Sequence, residues 1–265
     1  MQKRTYIYLV IIVALVLAVL IYLNISASPN AGKYAPLLPY INKPVPQQAL
    51  SELNVSAAIS NRLGAGAVSG LPEIINASPL VNGTKPEVLY VGAEYCPFRA
   101  VTRWGLIIAL MRFGSFSNLH YMVSNTTNEP ELPGVPTFTF YNSAYNSNYL
   151  SFVAVETETN TEKPLQQITG GQSAIFSKYD PTGGIPFIDF GNGSIQDGAP
   201  VSPEVLLGQG WNTTLENLTH TNTSISESIV GSADVFTAQI CRITNMTPAS
   251  VCSQPYINTI LKGYG

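Results

Sequence analysis

The chain has 265 residues, of which 11% are charged, and carries a net charge of -3 at pH 7. That balance excludes an electrostatic footprint for nucleic acid, and the charged share is about half that of an ordinary soluble domain. A surface of Ser, Thr, Asn and Tyr changes little when carboxylates protonate, a composition that suits an acidic exterior.

The first predicted element is a membrane span. Tyr6 to Leu23 are 18 consecutive uncharged residues, preceded by Lys3 and Arg4 and followed by no Lys or Arg until Lys33. The length suffices for a transmembrane helix. The charge asymmetry keeps the N-terminus in the cytoplasm and places residues 30–265 outside. A cleaved signal peptide is the competing reading, but its apolar core is usually shorter. Residues 1–25 are therefore expected to be the anchor and the only tie to the membrane. Residues 26–50 are expected to be an extended linker, because Ser26 to Pro46 carries five prolines. Residues 51–265 are expected to be an extracytoplasmic domain.

Export agrees with the Asn-x-Ser/Thr sequons, which begin at Asn24, Asn54, Asn76, Asn82, Asn125, Asn192, Asn212, Asn217, Asn222 and Asn245. Chance would give roughly three. Asn24 lies too near the membrane to be a good acceptor, and the other nine are glycosylation candidates.

Further along, Gly64 to Gly70 is glycine-rich but neither follows a strand nor opens a Walker-type loop, which argues against nucleotide binding. Val88 to Ala93 predicts a buried strand. Pro97 opens a helix, at the position where its missing N–H matters least. The helix continues through Ala100, Trp104, Ile107, Ile108 and Met111 to Gly114. Leu119 to Val123 predicts the next strand, closing a β-α-β unit. Thr137 to Tyr141 and Tyr149 to Glu156 predict paired strands inserted after it. Gln172 to Lys178 is a candidate helix. Gly183-Gly184-Ile185-Pro186 is a turn entering a strand at Phe187 to Phe190, with a hairpin at Gly191-Asn192-Gly193 and a return strand at Ser194 to Gln196. Helices are predicted over Pro203 to Leu207, Leu215 to His220 and Ile225 to Ile243, the last capped by Ser224 with Glu227 three residues on.

A strand, Cys-Pro-x-x at a helix start, a strand, and Gly-Ile-Pro leading into a hairpin resembles the thioredoxin pattern. The runs Val91 to Ala100 with Arg103-Trp104, Pro136 to Tyr141, Tyr149 to Val153, Gly184 to Asn192, Ile240 to Thr244 and Pro248 to Cys252 resemble an uncharacterised archaeal family of membrane-anchored thioredoxin-like proteins. The resemblance spans about residues 50–255. It implies an α/β fold: a thioredoxin-like domain with a β insertion near 130–160 and a helical C-terminal extension, of unassigned role. It also implies a cis Ile185-Pro186 bond facing the cysteine turn; cis bonds are essentially confined to X-Pro. The family's turn resembles Cys-Pro-Phe-Cys. Here it is Cys96-Pro97-Phe98-Arg99, so the second thiol is missing.

Cys96 at a helix start sits where free N–H groups and the macrodipole favour an anion, and Arg99 and Arg103 add positive charge. Cys96 is thus a candidate nucleophile, but a resolving thiol normally releases the mixed disulfide, and Arg99 cannot. Cys241 and Cys252 close a short loop and, outside the cytoplasm, are expected to be a disulfide. If the C-terminal helix packed beside the cysteine turn, the pair would be able to exchange with Cys96. No metal or cofactor is expected: His120 and His220 lack ligand spacing with a cysteine. Glu94 reads as a solvated turn carboxylate or, less commonly, a group that tunes Cys96; Asp189 as a buried partner or a hairpin-end residue; and the aromatics at 137–153 as packed strand faces or, if exposed, a patch for a partner. Two functions compete. One is a non-catalytic scaffold or accessory subunit of a membrane or cell-surface complex. The other is monothiol disulfide exchange on exported proteins through Cys96, with Arg99 steadying the thiolate and Pro186 shaping the groove.

Overall fold

The computed structural model describes Val13 and residues 34–75, 77–125, 129–184 and 186–263. The expected span at 6–23 (Val13 apart), Asn24, Asn76 and Ile185 lie outside the described residues. Among the described residues, no helix is long and apolar enough to cross a membrane.

The chain forms a mixed α/β domain. In order, the elements are α1 (Gln47–Glu52), α2 (Ala57–Leu63), β1 (Glu73–Ile74), β2 (Val81–Asn82), β3 (Lys85–Gly92) and α3 (Pro97–Met111). Four short strands follow: β4 (Gly114–Ser117), β5 (His120–Val123), β6 (Pro136–Thr139) and β7 (Ala144–Ser147). Then come β8 (Ser151–Glu156), α4 (Gly170–Tyr179), β9 (Phe187–Phe190), β10 (Ser194–Asp197), α5 (Trp211–Asn217), α6 (Ser224–Ile243), α7 (Ala249–Cys252) and α8 (Pro255–Lys262).

The main sheet runs β1-β10-β9-β3, with β8 on the far side of β3 and β2 beside the start of β3. β8 is parallel to β3, from Glu87↔Ser151 to Gly92↔Glu156. β9 is antiparallel to β3, from Val88↔Phe190 to Val91↔Phe187. The sheet is covered on both faces, and alternation along β3 decides which residue meets which layer. Val88 and Tyr90 join the large core with α3 and α6, while Leu89 and Val91 join Phe187 and Ile195 under Ile175, Phe176 and Tyr179 of α4.

Two expectations about strand partners are corrected. β5 does not close the β-α-β unit with β3; β8 does. Thr137 to Tyr141 pairs with β5, not with Tyr149 to Glu156, and β4 pairs with β7. The insertion is therefore two antiparallel ribbons over 114–147. Apolar runs of this length mark a strand but carry no label for its partner.

The segment expected as a linker is part of the domain from residue 34 onward. Ala35–Tyr40 is a 3-10 helix, Leu37, Val45, Ala49 and Leu50 are buried, and the Asn42 and Val45 N–H groups donate to the Tyr121 and Leu119 carbonyls. Its apolar residues cover the β5 ribbon, with Tyr40 against Tyr121 and Trp211. The cap of α6 is Thr223, one residue before the expected Ser224; its Oγ1 accepts from the Ser226 N–H at 3.1 Å. Pro203–Leu206 is a 3-10 turn, and α5 begins at Trp211, earlier than expected. Cys241 and Cys252 are disulfide-bonded.

The glycine-rich stretch has a packing role. A Cβ at Gly66 would stand 2.0 Å from the Glu227 carbonyl oxygen, and one at Gly231 would stand 2.5 Å from that of Ala65. Gly66 also has φ +52°. The loop after α2 thus lies directly on the backbone of α6.

Candidate functional site

β3 ends at Gly92, and the chain turns through Ala93, Glu94 and Tyr95 into Cys96, the N-cap of α3. The Cys96 backbone is extended (φ -79°, ψ 127°), its side chain makes no capping bond, the thiol is free, and the residue is 9% exposed. Arg99 follows in the first turn, three residues on and so on the same helix face. Arg99 is 1% exposed. Among the described residues its Nε and Nη1 have no hydrogen-bond partner, and its guanidinium carbon lies 5.3 Å from the centre of the Tyr95 ring.

One turn further, Arg103 is fully buried but compensated. Its Nε and Nη2 donate to Glu156 Oε1 and Oε2 at 2.9 and 2.6 Å, and Nη2 also donates to the Ala93 carbonyl at 2.7 Å. Its Nη1 is unpartnered. Glu156 reaches it because β8 pairs Glu156 with Gly92 at the end of β3. Tyr90, two residues before Gly92 and on the same face, brings a fully buried hydroxyl with no partner. Burial pushes that phenol up; Arg103 and Arg99 pull it down, and Glu156 and Cys96 push it further up. The Arg103 guanidinium carbon lies 5.8 Å from the centre of the Tyr90 ring.

Pro186 immediately precedes Phe187, the partner of Val91. Register puts it level with Gly92, at the sheet end where the cysteine turn begins. Its carbonyl accepts from the Gly198 N–H at 2.9 Å. Cys96, Arg99 and Pro186 thus share one end of the sheet. The disulfide is at the other end. Ile243 packs against Gly191 and Gly193 at the β9–β10 turn, and Gly105 of α3 meets Ser232 and Ala233 of α6. At 1.5 Å of rise per residue, Cys96 and Cys241 stand about 27 Å apart along these helices. The exchange between the pair and Cys96 entertained from the sequence has no geometric route.

Glu94 is not the solvated carboxylate expected. It is 4% exposed, with Oε1 accepting from Thr139 Oγ1 at 2.6 Å and Oε2 from the Asn160 N–H at 3.2 Å. Burial pushes its carboxyl up against those two bonds, and Glu156 adds to the rise. It lines a recess of about 260 Å³ with His120, Tyr141 and Asn142. Asp189 is fully buried; its Oδ1 accepts from the Asn192 N–H at 2.6 Å and closes the hairpin. The aromatics of the insertion pack together: Phe140 against Phe116 and Phe152, and Phe138 against Trp104. Asn54, Asn82, Asn125, Asn212, Asn222 and Asn245 are exposed. Asn192 and Asn217 are partly buried, with their amides donating to the Ser78 and Thr213 carbonyls.

Tyr90 and Glu156 were missed from the sequence. The available signal was polarity out of place: a tyrosine in the middle of a buried strand, and a second arginine on the buried face of a helix. Among the described residues, no three His, Cys, Asp or Glu side chains converge as metal ligands.

The fold and site define a mixed α/β domain with a lone thiol and two buried arginines at the start of its central helix. Residues 73–183 match the family model described as a domain of unknown function, DUF929. That stretch includes Cys96, Arg99, Arg103 and Glu156, and stops short of Pro186 and the disulfide. No curated protein and no solved structure matches the chain.

Proposed function

We propose that the chain is a membrane-anchored, glycosylated, extracytoplasmic thioredoxin-like protein that acts as a non-catalytic scaffold or accessory subunit of a membrane or cell-envelope complex. The strand order β8-β3-β9-β10 supports the thioredoxin-like reading. It joins a β-α-β unit to a β-β-α unit, with α3 after β3 and α6 after β10. The uncharged run at 6–23 with Lys3 and Arg4 before it supports the anchor. The observation that carries the non-catalytic reading is Arg99: a buried side chain stands where a resolving thiol would be needed, and the disulfide pair is at the far end of the domain.

The test uses full-length protein in detergent, a disulfide-bonded reporter protein and a low-molecular-weight dithiol. The expected result is no reduction of the reporter above the dithiol alone. Multiple turnover above that background overturns the reading. One observation favours the second reading, monothiol exchange through Cys96: among the described residues the buried Arg99 Nε and Nη1 have no acceptor, and Arg99 lies in the first turn of the helix that Cys96 caps. Rapid release of the chromophore from an aromatic disulfide, with a mixed disulfide at Cys96 by mass, supports exchange; an inert Cys96 removes it.

A further inference from the structure

We infer that Cys96 is a hydroperoxide-reactive modification site, and that its sulfenic acid is held by the buried donors of Arg99 and Tyr90. The inference rests on neither functional reading above. The end of β3 and the start of α3 carry a surplus of buried donors. Arg99 Nε and Nη1, Arg103 Nη1 and the Tyr90 hydroxyl are all buried, and none has a partner among the described residues. Native interiors leave few such groups unsatisfied, and each calls for an explanation, a redox role among them. Arg103 carries its own carboxylate, Glu156, at 2.6 Å. Among the described residues Arg99 has none, so the cluster they form retains one uncompensated positive charge. Cys96 sits at the start of the same helix, where N–H groups without intrahelical partners also face an anion. A sulfur that gains an oxygen becomes a stronger acceptor and, once ionised, an anion. Those are the two things the cluster lacks.

Access selects the oxidant. At 9% exposure, Cys96 admits a molecule the size of hydrogen peroxide far more readily than the disulfide of a folded protein. The sulfur attacks one peroxide oxygen; the S–O bond forms as the O–O bond breaks. Sulfur loses two electrons and the peroxide gains them. The departing oxygen takes the thiol proton and leaves as water, or as an alcohol from an organic hydroperoxide. The sulfenic acid then gives its own proton to water and accepts from Arg99. Condensation to a disulfide, the usual next step, has no described thiol within reach, because Cys241 and Cys252 are bonded to each other. The product therefore waits for an external thiol.

The experiment treats detergent-solubilised full-length protein with equimolar hydrogen peroxide, traps sulfenic acid with a cyclic 1,3-diketone and maps Cys96 by mass. The same protein unfolded in urea is run beside it. The expected result is labelling of folded Cys96 at least about tenfold faster than in the unfolded chain. Arg99→Met and Tyr90→Phe should each remove most of that advantage, with the disulfide and the far-ultraviolet circular dichroism unchanged. Equal or slower oxidation in the folded state overturns the inference, and that comparison needs no variant. Folded variants that react as fast as the parent overturn the part assigned to Arg99 and Tyr90.

Discussion

Arg99 and Arg103 occupy one face of α3 and are both buried, yet only Arg103 meets a carboxylate. The two should respond oppositely to removal of charge. Glu156→Gln leaves a guanidinium in the interior without its counter-ion, a change that typically costs about 3–5 kcal/mol. Arg99→Met removes a buried charge that has no counter-ion among the described residues and keeps much of the apolar stem, so stability should hold or rise by about 1–3 kcal/mol. Urea unfolding of the two variants beside the parent checks both signs. A marked loss in Arg99→Met would mean that the charge is already compensated. The sequence displays both arginines but not this difference. Glu156 lies in another strand, and only the parallel register that pairs it with Gly92 brings it under Arg103. Cys96 at a helix start was legible because Cys-Pro followed by an apolar face of helical period is a local signal. The Tyr90 hydroxyl was not, because a tyrosine in a strand reads equally well as packing.

At the level of elements, the closest backbone approach is between the loop after α2 and α6. Gly231 takes up the Ala65 carbonyl with no room for a Cβ, so Gly231→Val must lift the loop off the helix. The overpacking should cost about 1–3 kcal/mol and appear as a lower melting temperature, with protease cutting first near 64–70. An unshifted melting temperature would mean that this contact is loose. The disulfide joins α6 to α7 across a sequence separation of 11. Replacing both Cys241 and Cys252 with Ser should lower stability by about 3 kcal/mol in the chain-entropy account, while leaving the reactivity of Cys96 as it was, since the two lie at opposite ends. A change in Cys96 reactivity would show that the ends are coupled. The helix α3, the hairpin at β9 and β10 and the long C-terminal helix were all legible in the sequence. Each is specified locally, by proline at a helix start, by Gly-Asn-Gly at a turn, or by a capping Thr or Ser ahead of an apolar period. The pairing of β5 to β8 was not. Thr137–Thr139 and Ser151–Val153 are similar runs, and what separates them is long-range: one covers α3 through Trp104 and Phe138, the other lies alongside β3.

The whole molecule carries few charges, and several of its acids are buried. Burial raises Asp189 to about 6, against the Asn192 N–H bond and with help from Glu87. Burial also raises Asp234 to about 6, opposed by Arg112 and Ser60. Asp234 Oδ1 lies 2.8 Å from Arg112 Nη2, close enough for an ion pair but not aligned for a hydrogen bond. In the unfolded chain both acids titrate near 3.9. Between about pH 4 and pH 6 the folded state therefore holds more protons than the unfolded one, and stability increases as pH falls. The gain is complete below the unfolded value and is lost as pH rises through the folded one. Each group contributes on the order of 2–3 kcal/mol across that window. The urea midpoint of the domain, measured in the full-length protein, should therefore be higher at pH 4.5 than at pH 7. Asp189→Asn keeps the acceptor for the Asn192 N–H and removes the titration, so it should flatten the profile. A midpoint that falls steadily on acidification would show that the two carboxyls are ionised at little cost.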